Sequence, residues 1–151
     1  MSIFDCTLGH ELTADEIAAL PPPALQSIDD RKASLWIEAK RLREALTDTP
    51  GAEAETPFGT VQVDAKSKQN VNGLVTMALI AQGAGAPFSS DFTLADNTVV
   101  TLNATQMIGM GIAIGQYVDA VYAHARTLRS AIVDAQDHDD LDAIDVTVGW
   151  P

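Results

Sequence analysis

The chain has 151 residues, a mass of 16.0 kDa and a formal net charge of −12, from nine Lys and Arg against 21 Asp and Glu. This length fits one domain, or one small domain with an appendage, and the 46% hydrophobic content is typical of a globular protein. Such a negative charge disfavours binding to nucleic acid or to an anionic membrane. The single cysteine, Cys6, excludes a disulfide framework.

No stretch of the sequence predicts export or membrane insertion. The longest nearly uncharged run, residues 71–90, is broken by polar residues and a proline, and the N-terminus lacks the basic and apolar regions of a signal peptide. We therefore expect a soluble protein made in a reducing cytoplasm.

Residues 1–26 are predicted to form an N-terminal arm. Thr13 and Glu16 have the spacing of a capping box, which predicts a short helix, and the prolines at 21–23 end it. Consecutive prolines favour polyproline II and act as a stiff spacer. The arm would either pack back on the domain or present three candidate partner-binding residues to another protein, namely Ile3, Phe4 and Leu8.

The first long helix is predicted over residues 28–46, with Ser27 as its N-cap and Pro50 beyond its end. Its apolar stripe repeats at steps of four and three and consists of Ile28, the stem of Lys32, Leu35, Ala39, Leu42 and Leu46. We expect an acidic loop with Glu53 and Glu55 to follow. Alternation over residues 57–64 then predicts a short hairpin or a single strand.

A second helix is predicted over residues 65–82, with Asp64 or Ser67 as its cap. Its apolar residues are Val71, Leu74, Val75, Ala78 and Ile80. Residues 90–102 form the clearest predicted hairpin. Two β-favouring runs there flank an Ala-Asp-Asn tripeptide at 95–97, whose Asp and Asn tolerate the positive φ of a tight turn.

The longest helix is predicted over residues 104–135, opened by a capping box between Asn103 and Gln106. Its apolar seam also repeats at steps of four and three: Met107, Gly111, Ile114, Val118, Val121, Ala125, Leu128 and Ile132. Three glycines in its first half, Gly109, Gly111 and Gly115, each cost about 1 kcal/mol of helix propensity. We therefore expect a close approach of another backbone, with the helix that ends in Ala81, Ala84 and Ala86 as the candidate.

After this helix the sequence predicts one helical turn around Leu141 and Ile144, and then an extended tail to Trp150. Burial of Trp150 requires the tail to be held on its own domain or on another chain, so it is a further candidate partner-binding residue. Together the elements predict an α+β fold in a single domain over residues 27–151. The heptad seams are equally compatible with intramolecular packing and with a homotrimer.

No pattern of residues predicts an active site, a cofactor site or a metal site. Cys6 and His10 have the spacing of two zinc ligands, but the chain offers no second pair. A nucleophile elbow, a dinucleotide fingerprint and a phosphate-binding loop are all missing from the sequence. We therefore name no catalytic, cofactor-binding or metal-binding residue and expect a protein that is not an enzyme.

The densest group of ionisable side chains is acidic: Asp134, Asp137, Asp139, Asp140, Asp142 and Asp145. A calcium loop counted from Asp137 fails, because Asp142 stands where glycine is required and Val148 where glutamate is required. We predict a solvated acidic turn in which some aspartates cap helices. A glycan-cleaving enzyme is disfavoured, since it needs paired carboxylates in a cleft and aromatic residues for stacking, and aromatics make up only 5% of the chain.

Three parts of the second half carry a family resemblance: residues 94–107 with their A-D-N-T-V string, a helical segment, and residues 141–151 with the pattern I-D-x-T-x-G-W-P. In the helical segment the matching residues are Val118, Tyr122, Ala123, Arg126 and Leu128. The sequence resembles a domain-of-unknown-function family of tailed-bacteriophage and prophage proteins, encoded beside or fused to tail-fibre and tail-fibre-assembly genes. The resemblance covers about residues 28–151. It implies a virion or virion-assembly role without enzymatic activity, with tail proteins as partners and synthesis in the host cytoplasm.

Two functions fit this resemblance. The first is a tail-fibre or baseplate accessory protein of the virion, whose arm docks into one tail protein while the α+β domain contacts another. The second is a tail-fibre chaperone that binds the fibre tip during trimerisation and is absent from the mature virion, a role that suits a strongly acidic, transient holding surface. We favour the first.

Overall fold

The computed structural model describes residues 26–151 with their side chains, and the backbone of two short segments nearer the N-terminus. Those segments are strands β1 (Phe4–Asp5) and β2 (His10–Glu11), which pair antiparallel. The elements that follow are α1 (Ile28–Thr47), β3 (Glu53–Thr56), β4 (Gly59–Gln62), α2 (Ala65–Gly83), β5 (Ser89–Thr93), β6 (Val99–Asn103), α3 (Ala104–Asp134) and α4 (His138–Asp142). The α+β fold with three main helices is confirmed. The predicted arm helix and proline spacer lie outside the described residues.

Each long helix begins at the cap that the sequence predicts. The Ser27 hydroxyl accepts the Asp30 amide at 3.1 Å, and the Asp64 carboxylate accepts two amides at the start of α2. At the start of α3, Asn103 and Gln106 form a reciprocal capping box with distances of 2.9 and 3.0 Å. These bonds satisfy amides that have no partner inside the helix, and so they fix where each helix starts.

Two antiparallel hairpins lie between the helices. β5 and β6 pair from Ser89 with Asn103 to Thr93 with Val99, and Asn97 in their turn has a φ of +65°. β3 and β4 pair from Glu53 with Gln62 to Thr56 with Gly59. The expectation of an acidic loop at residues 53–55 was wrong. Those residues form a strand, because Ala54 alternates with the exposed glutamates and is buried against the core.

α3 is the central helix of the fold, and its predicted apolar seam is confirmed. The seam residues are buried except for two that are half-buried, Gly111 and Val118. The first half of α3 packs with α2 and the two hairpins around Met107, Met110 and Ile114. The second half packs with α1 and the C-terminal residues around Leu128 and Ile132. The molecule therefore has two adjoining cores, one on each half of α3.

The close approach predicted at the α3 glycines is found at Gly111, and the partner is the predicted helix, α2, although the contact comes from a side chain in the middle of that helix and not from its backbone. A Cβ built on Gly111 would lie 2.7 Å from Cγ2 of Val75 on α2, not against the alanines at the end of that helix. A Cβ at Gly109 would lie 3.6 Å from the Phe58 ring, which is an ordinary contact, and one at Gly115 would have no neighbour within 4 Å. The missing side chain is thus required only where α2 crosses α3 at Gly111.

The C-terminal residues form a compact turn, so the predicted extended tail was wrong. The Asp145 carboxylate accepts both the amide and the hydroxyl of Thr147, at 2.9 and 2.6 Å. Gly149 then adopts a φ of +82°, which turns the chain back toward α3. The one predicted helical turn is present as α4, with Leu141 fully buried.

No helix among residues 26–151 combines the length and the apolar character needed to cross a membrane.

Candidate protein-interaction surface

Four residues were predicted to bind a partner, and the structure describes the side chain of one of them. Ile3 and Leu8 lie outside the described residues, and Phe4 is placed only as backbone in β1. Trp150 is half-buried and packs on the core formed by α1 and the second half of α3. Its own domain therefore holds it, and partner binding by its exposed part stays a prediction.

Trp150 is held by contacts with the last turn of the chain and with α3. Its Nε1 donates to the Val146 carbonyl at 2.9 Å, and its ring meets the His124 ring edge-on at 4.6 Å between centroids. The same imidazole lies 3.0 Å from the Val148 carbonyl oxygen through Nε2. The backbone of Gly149 packs on this ring, since a Cβ there would lie 2.8 Å from Cε1. We call His124, Val146, Gly149 and Trp150 the C-terminal latch.

The acidic residues near the C-terminus serve as local hydrogen-bond acceptors. Asp137 caps α4 by accepting the Asp140 amide at 2.9 Å, as predicted. Asp140 in turn accepts the Gln136 amide at 2.7 Å, and Asp142 pairs with Arg31 at 3.1 Å. Hydrogen bonds from Thr147 hold the pKa of Asp145 below its usual value. Over residues 26–151, no three His, Cys, Asp or Glu side chains are grouped so as to hold a metal ion.

The grooves of the described surface are shallow and have few ionisable groups. A groove of about 290 Å³ beside α2 and β5 is lined by Gln62, Ser67, Asn70, Leu74, Asp91, Phe92 and Thr93. Ser67 there is engaged as part of a helix cap, because its hydroxyl donates to the Asp64 carboxylate at 2.8 Å and that carboxylate also accepts the Lys66 and Ser67 amides. A second groove, of about 380 Å³, contains Tyr117, whose pKa burial raises, and two glutamates of an exposed strand edge.

Charge is distributed unevenly over the molecule. Between Gln69 and Ser90, and again between Asn97 and Val118, the chain has no Lys, Arg, Asp or Glu. These two segments contain most of α2, the strand β6 and the first half of α3, which pack together around one core. We call them the uncharged end. Asp91 and Asp96, on the β5–β6 hairpin, are the acidic residues between the two segments.

The remainder of the described chain has many charges, and five of its nine Lys and Arg side chains form ion pairs. Arg41 binds Glu38, and Lys68 reaches Asp48 at 2.8 Å. The hydrogen bond from Lys68 is the main cause that lowers the pKa of the Asp48 carboxyl, and that from Arg41 does the same for Glu38. Because Asp and Glu outnumber Lys and Arg there, this part of the molecule carries the excess of acidic groups.

Large apolar side chains are exposed at the uncharged end. Their exposed fractions are 67% for Ile80, 61% for Val99, 59% for Met77, 56% for Ile112 and 50% for Leu79. Single exposed apolar residues are ordinary, but several on adjacent elements without a charge among them are typical of an interaction surface. Sequence reasoning placed Ile80 among the apolar residues of its helix, and the structure leaves it the most exposed of them.

Helical geometry divides the exposed residues of α2 into two flanks. Val71 and Ala78 face the core, and residues at steps of three and four from each other share one side of a helix. Gly73, Met77 and Ile80 therefore lie along one stripe, facing away from the core, whereas Leu79 lies on the flank toward α3. We call Gly73, Met77 and Ile80 the α2 stripe.

A family model described as a domain of unknown function (DUF4376) matches residues 30–148. The chain belongs to this family. No curated protein and no solved structure matches the chain.

The DUF4376 match locates the candidate surface within the family's domain. The uncharged end, at residues 69–90 and 97–118, lies wholly inside the matched range. The C-terminal latch crosses its limit, because His124 and Val146 are inside the range while Gly149 and Trp150 are beyond it. The expected membership of a domain-of-unknown-function family is thus confirmed, and the link to phage tails stays a prediction.

Proposed function

We propose that this DUF4376 protein is a non-enzymatic component of a bacteriophage tail, an accessory or adaptor protein of the tail fibre or baseplate that binds other tail proteins. The observation that carries the proposal is the uncharged end, with its five exposed large apolar side chains on an otherwise acidic chain. The resemblance of residues 94–107 and 141–151 to tail-associated proteins supports the choice of a phage tail.

The uncharged end has the composition of a protein-binding surface. The core of such interfaces is poor in charged residues and rich in large apolar ones, and Met is common there. Burying apolar area yields about 25 cal/mol per Å², and a specific interface covers about 800 Å² on each partner. The charged remainder of the molecule keeps the free protein soluble while this end stays available to a partner.

A second attachment would come from residues 1–26. Ile3, Phe4 and Leu8 would dock into one tail protein while the domain contacts another, so that the chain bridges two parts of the tail. The protein would be made in the host cytoplasm and finish in the virion. This placement requires no nucleic acid, membrane or cofactor.

A tail-fibre chaperone is the second candidate, favoured by the combination of an apolar binding surface with a net charge of −12. An acidic protein with one apolar face can cover the exposed apolar surface of an unassembled fibre and remain soluble while doing so. Such a protein would leave when the fibre trimer forms.

Quantitative mass spectrometry of purified phage particles separates the two candidates. A fixed ratio of this chain to the fibre protein supports the adaptor. Abundance in the lysate with absence from particles contradicts it and indicates the chaperone, in which case the fibre becomes insoluble when this protein is withheld.

Two substitutions in the full chain test which surface attaches the protein. Ile112→Asp puts a charge on the uncharged end, and Ile37→Asp is its control, since Ile37 is 61% exposed on α1 among charged residues. We expect Ile112→Asp to lower incorporation into particles at least about tenfold, because a charge buried in an interface costs several kcal/mol. Equal incorporation of both variants would show that the uncharged end does not attach the protein to the tail.

A further inference from the structure

We propose that the outer edge of β3 binds an extended segment of another protein, one with Lys or Arg at alternate positions, which adds to the β3–β4 hairpin as a third strand. Three features of this edge support the proposal: unpaired backbone groups, a groove beside them, and two glutamates without a cation of their own. β3 lies outside the two segments of the uncharged end, so binding here does not depend on the proposed function.

The backbone groups of Glu53 and Glu55 point away from the hairpin. Where β3 and β4 begin to pair, the Val63 amide donates to the Ala52 carbonyl at 2.8 Å. Residue pairs along an antiparallel ladder alternate between hydrogen-bonded and non-hydrogen-bonded. Glu55 lies opposite Thr60, and Glu53 lies one residue beyond Ala52. The alternation therefore directs the amide and the carbonyl of both glutamates outward.

The other edge of the hairpin is engaged, whereas the β3 edge is open. On β4, the Thr60 carbonyl accepts the Ala95 amide at 3.0 Å, which agrees with an outward direction for the backbone groups of this pair. Each described sheet has two strands, so no strand of the described chain pairs with the outer edge of β3. Such an edge can bind another extended chain through its unpaired amides and carbonyls.

A groove of about 380 Å³ gives an added strand room beside this edge. It is lined by residues 53–55 and Thr60 of the hairpin, and by Leu46, Tyr117 and Pro151 of other elements. Leu46 and Tyr117 are half-buried. Side chains of an extended segment alternate between two faces, so every second one would face the glutamates and the others would meet these two residues. We expect small or β-branched residues at those other positions.

Charge complementarity selects a cationic segment. Side chains directly opposite each other on neighbouring strands stabilise the pair when their charges are opposite, and destabilise it when the charges are alike. Glu53 and Glu55 are exposed on one face of β3. Among the described residues neither carboxylate has an ion-pair partner, whereas Asp48 at the end of α1 is paired with Lys68. Lys or Arg at alternate positions of the added strand would supply the missing partners.

The same glutamates disfavour the two occupants that this chain could itself supply. If two copies paired through β3 about a twofold axis, the glutamates of one copy would lie opposite those of the other. Residues 1–25 contain four acidic residues and no Lys or Arg, so they offer no such cation. Charge on an edge strand is a common means of preventing self-association. The partner is therefore another protein.

Binding of labelled peptides to the full chain, read by fluorescence anisotropy, is the direct test. The probe is Lys-Thr-Lys-Thr-Lys with blocked ends. A single added strand buries little area, so we expect a dissociation constant of about 10 to 100 µM, weakened by added salt. Glu-Thr-Glu-Thr-Glu should not bind, and Lys-Lys-Lys-Thr-Thr should bind at least about fivefold more weakly. Equal affinity for the two lysine peptides would show attraction by charge alone and overturn the proposal.

Methylation of the peptide backbone tests the hydrogen bonds of the added strand. In an antiparallel pair, the lysines opposite Glu53 and Glu55 would donate their amides to β3. Methylating the lysine amides should therefore abolish binding, and methylating the threonine amides should preserve it. The reverse pattern would indicate a parallel strand and support the same edge. The same affinity for both methylated peptides, whether kept or lost, would overturn strand addition.

A charge exchange locates the site. Glu53→Lys with Glu55→Lys should weaken binding of the lysine peptide at least about tenfold and create binding of the glutamate peptide. Because the variant gains a ligand, its loss of the other cannot be attributed to unfolding. Asp134→Lys with Asp139→Lys is the matched control: both residues are exposed, and Asp134 lies about 26 Å along α3 from Tyr117 at 1.5 Å per residue. Equal effects of the two double variants would overturn the proposal.

One further variant separates this edge from the uncharged end. Ile112→Asp should bind the lysine peptide with the affinity of the native chain, because Ile112 lies outside β3 and does not line its groove. A lower incorporation of this variant into particles would leave the strand addition unaffected. A gain or loss of peptide affinity of more than about tenfold would show that the peptide binds the uncharged end, and would overturn the proposal.

Discussion

Val75 on α2 packs directly against the bare backbone of Gly111 on α3. A Cβ at position 111 would lie 2.7 Å from Cγ2 of Val75, closer than real Cβ atoms approach their neighbours. Valine is β-branched and has little freedom to turn away, so the two helices would have to separate to admit even a methyl group. This contact sets the distance between α2 and α3, and through it the position of the uncharged end.

We therefore expect Gly111→Ala to destabilise the protein by about 1 to 2 kcal/mol, since overpacking outweighs the gain in helix propensity. Gly115→Ala is the matched control on the same helix, because nothing lies within 4 Å of a Cβ there. It should stabilise the protein by up to about 1 kcal/mol. Urea unfolding of the two variants checks the contrast, and changes of the same sign in both would contradict it.

The sequence was sufficient to predict the helices and their starts, because the signals are local. Ser27, Asp64 and Asn103 each accept an amide two or three residues ahead, and this spacing can be recognised without knowing the fold. The seam of α3 was predicted for the same reason, since its period requires burial against some partner, whichever one it is.

The parts that were missed depend on distant contacts. Residues 53–55 read as a loop because Glu and Ala have low β propensity, and they form a strand because the core buries Ala54. The tail turns back because Gly149 fits against His124, a residue 25 positions away. The exposure of Ile80 could not be predicted either. Its apolar character was plain, but only the packing shows that β5, β6 and α3 leave its side of α2 uncovered.

The C-terminal latch should contribute to global stability. Trp150→Ala removes the edge-on contact with His124 and the hydrogen bond to Val146. A fully buried Trp→Ala change costs about 3 to 5 kcal/mol, so about 2 kcal/mol is expected for this half-buried ring. Denaturant unfolding measures it. Val148→Ala is the control, since Val148 is 58% exposed, and it should change the free energy of unfolding by less than about 0.5 kcal/mol.

Acid should weaken the contact between α1 and α2 through Asp48. Lys68 donates to the Asp48 carboxylate at 2.8 Å and to the Thr47 carbonyl at 2.7 Å, joining the end of α1 to the start of α2. The hydrogen bond from Lys68 holds the folded-state pKa of the Asp48 carboxyl below its ordinary value. A lowered pKa means that the carboxylate contributes stability above its unfolded-state pKa and loses it as the pH falls through the folded-state value.

The free energy of unfolding should therefore fall as the pH is lowered from about 5 toward 2, and Asp48→Asn should flatten part of that fall. Near neutral pH the variant should be less stable than the native chain, and the difference should shrink in acid. Asp91→Asn is a suitable control on the β5–β6 hairpin, because Asp91 is exposed and accepts a bond from Thr101 rather than from a cation. A native chain and Asp48→Asn variant with parallel pH profiles would contradict the role of Lys68.

The capping box of α3 should contribute more to the free energy of unfolding than a single N-cap does, because its two hydrogen bonds depend on each other. Asn103 accepts the Gln106 amide at 3.0 Å, and Gln106 accepts the Asn103 amide at 2.9 Å. Asn103→Ala should cost about 1 kcal/mol, the usual loss for an N-cap. Gln106→Ala should cost less, because the cap itself remains. The sum of the losses in the two single variants should exceed the loss measured for the double variant, since each bond holds the other in place. Urea unfolding of the three variants gives the coupling, and strict additivity would show that the two hydrogen bonds act independently.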